Sequence, residues 1–264
     1  MKRILILHTG GTISMSQDAD GAVRPDKKNP LLAAGQELRL PADIELIVED
    51  FSNLPSPHIT VETMFQLKER IKAAKQEGID SVVITHGTDT LEETAYFLEI
   101  TIGDLMPIIL TGAMRSINEL GSDGLYNFEC AIRVAASESA INKGVLVVMN
   151  DEVHSARYVT KTHTTNVATF RTPTLGPIGL VTKSKILFEQ ELPKATRYDI
   201  DSFDAMIPIV KVFAGMEGEF FKILDQAISV DGLVVEALGA GNLPPQTLPP
   251  FYHLLEKGLP IVLV

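Results

Sequence analysis

The run Ser81-Val82-Val83-Ile84-Thr85 constrains this chain more than any other stretch. It shows no apolar/polar alternation and is rich in β-branched residues, so it reads as a strand buried on both faces, as in a parallel sheet covered by helices. The run breaks at once into His86-Gly87-Thr88-Asp89-Thr90. Thr90 with Glu93 three residues on predicts a capping box, opening a helix that turns Leu91, Ala95 and Leu98 inward. Thr88 and Asp89 then fall between a strand's carboxyl end and a helix's amino end, the crevice where open α/β sheets bind ligands. The same residues also suit a plain polar turn, which every βα unit needs.

The pattern recurs along the chain. Ile4 to Leu7 is a strand that ends in His8-Thr9-Gly10-Gly11-Thr12-Ile13, and Ile44 to Val48 is one that leads to Ser52-Asn53-Leu54-Pro55-Ser56-Pro57-His58. The spacing of Met64, Leu67, Ile71 and Ala74 predicts a helix from about Thr60 to Glu77, stopped by Gly78. Pro107 to Thr111 and Gly144 to Met149 are further strands, separated by the loop Gly112-Ala113-Met114-Arg115 and a helix that carries Cys130 as a packing residue. Strands and helices in this alternation predict an α/β fold: a doubly wound, mostly parallel sheet. Ser14 to Pro30 is polar and longer than most connections in a compact domain, as expected of a lid loop. From Asp151 to Thr174, irregular loops and short antiparallel strands are expected.

A charged segment at 189–204 is the expected linker. It divides an N-terminal catalytic domain (1–188) from a second, smaller α/β domain (205–264) with strands at Ile207–Val212, Gly232–Ala237 and Leu259–Val264 and helices at Glu217–Ile228 and Pro249–Lys257. The last apolar strand closes the sequence, so the smaller domain is expected to be incomplete.

Composition narrows the function. The chain has 264 residues, 34 acidic against 23 basic, for a net charge of -11. With no lysine/arginine block to neutralise phosphates, nucleic acid and anionic membranes are poor partners, and a small soluble substrate is expected. A single cysteine excludes an internal disulfide framework, and the amino terminus is too short in apolar residues for a signal-peptide core, so a cytoplasmic location is expected.

Thr12 and Thr88 each follow a glycine turn at a strand end. Two hydroxyls at neighbouring strand ends can face one crevice, with flanking backbone N–H groups as an oxyanion hole, an arrangement suited to acyl transfer. A threonine hydroxyl needs a proton-withdrawing partner, which draws attention to Asp89 and Lys161, although spacing alone places Lys161 among solvated surface lysines. Thr9-Gly10-Gly11-Thr12 could cradle a phosphate but lacks the third glycine of a dinucleotide fingerprint and the Gly-Lys-Ser/Thr of a P-loop. The histidines show no i, i+4 pairing, no cysteine pair exists for a metal, and there is no Gly-x-Ser-x-Gly elbow. No metal and no cofactor are expected. His86 reads as a turn or packing histidine.

Thr9-Gly10-Gly11-Thr12-Ile13, His86-Gly87-Thr88-Asp89-Thr90-Leu91-Glu92-Glu93-Thr94 and Val159-Thr160-Lys161-Thr162-His163-Thr164-Thr165-Asn166-Val167-Ala168-Thr169-Phe170 together resemble the bacterial-type L-asparaginases. The likeness extends through Gly239-Ala240-Gly241-Asn242. The resemblance implies hydrolysis of L-asparagine to L-aspartate and ammonia through an acyl-enzyme. It matches Thr12 to the nucleophile and Thr88, Asp89 and Lys161 to a second triad that assists proton transfer. Gly11, Ser56, Gly87, Ala113 and Asn242 match substrate-binding positions, Ser56 at the α-carboxylate and Ala113 through its carbonyl at the side-chain amide. It also implies a closing flap at Ser14–Pro30 and a homo-oligomer, dimer or tetramer. The chain departs from the family where a flap tyrosine is common, with Ala22-Val23-Arg24 in the matching region, and where glutamine often follows the substrate serine, with Pro57 here. One methylene is worth only ~1–3 kcal/mol in a pocket, so weaker glutamine hydrolysis is compatible with the same site. A non-catalytic amino-acid or nucleotide-binding module, and the amidase subunit of a tRNA-dependent amidotransferase, are the alternatives. The acidic charge speaks against the last.

Overall fold

A computed structural model describes residues 1–18, 20, 23–25, 31, 38, 43–227 and 229–264. The chain divides into two compact units, Met1–Ile200 and Asp201–Val264.

The first unit is built on an eight-stranded sheet. Its parallel part comprises β1 (Lys2–His8), β4 (Ile44–Asp50), β5 (Ser81–Thr85), β6 (Ile108–Thr111) and β7 (Val145–Met149) in the order β4-β1-β5-β6-β7. Beyond β7, the sheet continues with β8 (Glu152–Ser155), β11 (Gly179–Val181) and β12 (Ile186–Phe188), all antiparallel to their neighbours. Between these lie two small hairpins, β2 (Met15–Gln17) with β3 (Val23–Pro25), and β9 (Thr160–Lys161) with β10 (Phe170–Arg171).

The apolar runs behave as their composition requires. Ile4 to Leu7 and Val82 to Ile84 are fully buried, and alternate residues feed two cores. Leu5, Leu7, Val82 and Ile84 pack with Leu67, Ile71 and Ala74 of α1 (Val61–Gln76) and Leu91, Ala95 and Leu98 of α2 (Leu91–Ile102). Ile4, Ile6 and Val83 pack on the other face with Phe128, Cys130, Ala131 and Val134 of α3 (Gly124–Ala136). Each fully buried Leu or Ile contributes roughly 1.5–3 kcal/mol, so the sandwiched strands are the most rigid part of the unit.

Register carries this rigidity to the functional edge. His8 lies opposite Thr85, and Thr85 opposite Thr111. Three turns therefore leave the carboxyl edge of the sheet level with one another.

Two local expectations are corrected. Thr90 precedes α2 as its N-cap, but its φ of -123° and ψ of 13° do not aim the hydroxyl at the helix, and no side-chain cap forms with Glu93. The segment Ser14–Pro30 is not wholly loop: Met15–Gln17 pairs with Val23–Pro25. Asn118 anchors that hairpin, with its Oδ1 accepting from Gln17 N and its Nδ2 donating to Gln17 O, each at 2.7 Å. Ala22 of the expected flap lies outside the described residues.

Within the expected linker, residues 189–200 run without regular structure but are tied to the first unit. Tyr198 N–H donates to Ile100 O, and the buried Lys68 ammonium donates to Ile200 O. The second unit has a three-stranded parallel sheet, β13 (Ile209–Lys211), β14 (Leu233–Glu236) and β15 (Ile261–Leu263), in sequential order. Helices α4 (Glu219–Ala227) and α5 (Leu248–Glu256) supply Phe221, Phe251 and Leu254 to a core with Val210 and Val235.

Candidate active site

The turn after β1 begins with Thr9, whose N–H and hydroxyl both donate to Thr85 O of the next strand. Gly11 follows at φ 83° and ψ 175°, a conformation essentially restricted to glycine. It is required twice over: a Cβ there would sit 2.3 Å from Gly87 Cα and 2.4 Å from Gly87 N. The turns bearing Thr12 and Thr88 thus touch backbone to backbone. Thr12 opens a short 3-10 turn, which Ser14 closes by donating from both N and Oγ to Gly11 O.

The loop after β4 is drawn into the same place. Thr9 O accepts Leu54 N–H at 3.0 Å and Ser52 Oγ at 2.9 Å. Ser56, flanked by Pro55 and Pro57, is buried, and its Cβ is only 2.6 Å from where a Cβ on Gly87 would lie. Ser56 Oγ accepts the Asp89 N–H at 3.1 Å, and Ser56 O accepts the Thr90 hydroxyl at 2.9 Å. Thr90 therefore uses on the Ser56 loop the hydroxyl that the sequence assigned to a helix cap. The engaged Asp89 N–H is also not one of the donors available for an oxyanion.

Lys161 arrives from the β9–β10 hairpin. Its ammonium donates to Thr88 Oγ1 at 2.9 Å and to Asp89 Oδ1 at 2.6 Å. The side chain is only 17% exposed, so the spacing-based reading of a solvated lysine is wrong: a contact across the fold has overridden a locally polar sequence. Asp89 is 57% exposed, and a pair so open to solvent adds little stability. Its effect is to orient the ammonium. The carboxylate of Glu92, in the first turn of α2, accepts the Lys161 N–H on one oxygen and the Thr160 hydroxyl on the other at 3.1 Å.

The turn after β6 forms the far wall. Asp123 accepts the N–H groups of Met114 and Arg115, and Asn127 Nδ2 donates to Gly112 O, which fixes the loop over the edge of the sheet. His86 is fully buried beneath the site. Its Nδ1 lies 2.8 Å from Gly87 O and its Nε2 2.9 Å from Thr94 Oγ1, and burial pushes its pKa down to about 4. A neutral ring that donates to the carbonyl and accepts from the hydroxyl satisfies both contacts, so His86 is a packing histidine.

These turns enclose a cleft of about 200 Å³, lined by Gly11, Thr12, Ser56, Thr88, Asp89 and Lys161 together with Met15, Pro55, Pro57, Met114 and Thr164. Of the residues singled out from the sequence, Gly87 supports the cleft from behind, and Ala113 is buried against the core beside Met114. Asn242 belongs to the second unit, where its backbone bridges to Leu238. Local sequence gives Thr90 only a capping role and gives Glu92, Asp123 and Asn127 none. Glu92 and Thr90 stand inside a quoted motif, but nothing in their spacing marks the loops they reach. Among the described residues, no group of three or more His, Cys, Asp or Glu side chains is placed to hold a metal ion.

Two hydroxyls, a lysine shared with a carboxylate, and a serine whose O–H remains able to donate make a small polar cleft equipped for acyl transfer. The family model "Asparaginase, N-terminal" matches residues 3–194. The chain is 34% identical to an L-asparaginase of Bacillus licheniformis, over 99% of this chain and 81% of that protein. It is 37% identical to a probable L-asparaginase of Deinococcus radiodurans, over 94% of this chain and 76% of that protein. Among solved structures, a probable cytoplasmic L-asparaginase from Campylobacter jejuni superposes with a TM-score of 0.86 at 35% identity, covering 99% of this chain and 82% of that one. With a family model spanning most of its length and relatives that match nearly all of it, this chain belongs to the asparaginase family.

Proposed function

We propose that the protein hydrolyses L-asparagine to L-aspartate and ammonia through an ester on Thr12. The observation that carries this reading is the Lys161 ammonium, held between Thr88 Oγ1 and Asp89 Oδ1 in the cleft that Thr12 lines. In the first half-reaction, Thr12 Oγ1 forms a bond to the carboxamide carbon and the carbon–nitrogen bond breaks. The proton leaving Thr12 ends on the departing nitrogen as ammonia. Water then attacks the ester, restoring the Thr12 hydroxyl and releasing aspartate.

The neighbours divide the remaining work. Thr88 Oγ1 accepts a hydrogen bond from Lys161, so its own hydrogen points away and is free to meet a leaving nitrogen or an attacking water. Ser56 Oγ already accepts from Asp89 N–H, which leaves its O–H to donate to the substrate's α-carboxylate. The outer face of the exposed Asp89 carboxylate suits the α-ammonium. The similarity to the Campylobacter jejuni protein supports the cytoplasm as the compartment, and among the described residues no helix is long and apolar enough to cross a membrane.

The test is ammonia release from asparagine by the wild-type protein and by Thr12→Ala, with mass spectrometry for an aspartyl ester in quenched reactions. Loss of one preorganised group in such a site costs ~10² to 10³ in kcat, and loss of the nucleophile is expected to cost at least that. Wild-type protein that releases no ammonia would sink the reading, and a fully active Thr12→Ala would remove the nucleophile assigned here.

A further inference from the structure

The lysine of this site sits on a short hairpin. Strands β9 and β10 pair through only two residue pairs, Lys161 with Phe170 and Thr160 with Arg171. Val159 and Phe170 are buried in the core and Thr162 bonds across to Thr169, but so short a ladder does not by itself set the direction in which the Lys161 backbone faces the cleft. A lysine ammonium also ends a flexible four-carbon stem, so its place in a cleft depends on where its backbone is held.

We propose that Glu92 is a positioning residue for Lys161, locking the hairpin onto the same turn that supplies Thr88 and Asp89. This rests on the asparaginase reading of the cleft. Both Glu92 oxygens are committed to β9, one to the Lys161 N–H and the other to the Thr160 hydroxyl. Thr88 and Asp89, a few residues earlier on the same turn, hold the other end of the side chain. Lys161 is thus gripped at its backbone and at its ammonium by one short, rigid segment, whose far end is anchored in α2. Such bonds to an ionised acceptor are among the stronger hydrogen bonds, and two of them on adjacent residues fix direction as well as distance.

A purely structural alternative exists. An acidic residue in the first turn of a helix interacts favourably with the helix dipole whatever its carboxylate touches. On that account Glu92→Ala weakens α2 and leaves the chemistry of Lys161 alone. The two accounts separate in a double-mutant cycle.

The experiment compares wild type, Glu92→Ala, Glu92→Gln, Lys161→Met and the double variant Glu92→Ala/Lys161→Met, by asparagine turnover and by amide hydrogen exchange at Lys161. A displacement of about 1 Å at a reacting group costs ~10² in rate, so Glu92→Ala is expected to lower kcat by about that factor while KM changes much less. Glu92→Gln keeps an acceptor for the Lys161 N–H and should retain most of the turnover, so the proposal stays testable if the alanine variant folds poorly. In the Lys161→Met background, adding Glu92→Ala should cost almost nothing further. Exchange at the Lys161 amide should accelerate in Glu92→Ala while amides of β5 stay protected. An equal fold-loss in both backgrounds, or an unchanged Lys161 amide, overturns the proposal. If wild-type protein releases no ammonia, the asparaginase reading falls instead, and the exchange result alone decides whether Glu92 holds the hairpin.

Discussion

Gly11→Ala tests the central contact of the cleft. Gly11 occupies φ 83°, ψ 175°, and forcing a residue with a side chain into this region costs on the order of 1–3 kcal/mol. The added methyl would also meet Gly87 Cα at 2.3 Å and Gly87 N at 2.4 Å. Those atoms are backbone and cannot swing aside, so the two turns must separate, and overpacking of this kind costs typically ~1–3 kcal/mol. The expected destabilisation is therefore about 2–6 kcal/mol, a large part of the ~5–15 kcal/mol that holds a typical domain. Gly176→Ala is the matched control: its φ is 73°, but nothing lies within 4 Å of a Cβ there. It carries the conformational cost alone, about 1–2 kcal/mol. Urea unfolding gives both free energies, and asparagine turnover reports on the spacing between the turns of Thr12 and Thr88. Turnover should fall by about 10² or more in Gly11→Ala and hardly at all in Gly176→Ala. Equal destabilisation in the two variants, with turnover intact in Gly11→Ala, would show that the turns do not depend on contact through Gly11.

Thr90→Val keeps the side chain's shape but removes one of the two hydrogen bonds that Ser56 O accepts, the other coming from Ile59 N–H; the loss should cost ~0.5–1.5 kcal/mol in urea unfolding and raise KM for asparagine, whereas unchanged stability and KM would separate Thr90 from the Ser56 loop. His8 and His86 both have pKa values lowered from 6.5 to about 4, in each case chiefly by burial, opposed by the Asp50 charge at His8 and by the Gly87 carbonyl at His86. The unfolded chain takes up protons that the folded state refuses, so stability should decline as pH falls from about 6.5 to about 4, by up to ~3 kcal/mol per histidine, and these groups should add no further loss below that. A urea midpoint that stays flat between pH 7 and pH 5 would contradict their burial as neutral rings.

The sheet was legible because it depends on burial, and burial leaves a mark in local sequence. The apolar runs at Ile4–Leu7, Val82–Ile84 and Val145–Met149 have no polar face to expose, so their place inside a helix-covered parallel sheet follows from the residues themselves. The hairpin of Met15–Gln17 and Val23–Pro25 was missed for the complementary reason. Three-residue strands are too short to show a period, and this one is secured by Asn118, 101 residues away.

The site was legible only to the extent that its residues follow strand ends. Thr12 and Thr88 could be placed at one edge because the turns that carry them interrupt buried runs, and the register of His8 with Thr85 brings those interruptions level. Lys161 lies 73 residues from Thr88, in a segment with neither apolar periodicity nor a strong strand signal, so spacing assigned it to solvent and only family likeness brought it into the cleft. Thr90 and Glu92 show why local rules fail here in particular. Read locally, a hydroxyl and nearby acids at a helix start belong to that helix, through capping or through the dipole. In the folded chain, both side chains reach outward instead, Thr90 to the loop of Ser56 and Glu92 to the hairpin of Lys161. The helix start thereby gives up side-chain capping, a loss the fully buried Leu91, Ala95 and Leu98 offset, and in exchange one turn fixes two separate loops around the cleft. Departure from a local preference is the signature of a residue whose partners are tertiary, which is why these two side chains, whose linear sequence suggests only a role at the helix start, are where the geometry of the cleft is most exposed to mutation.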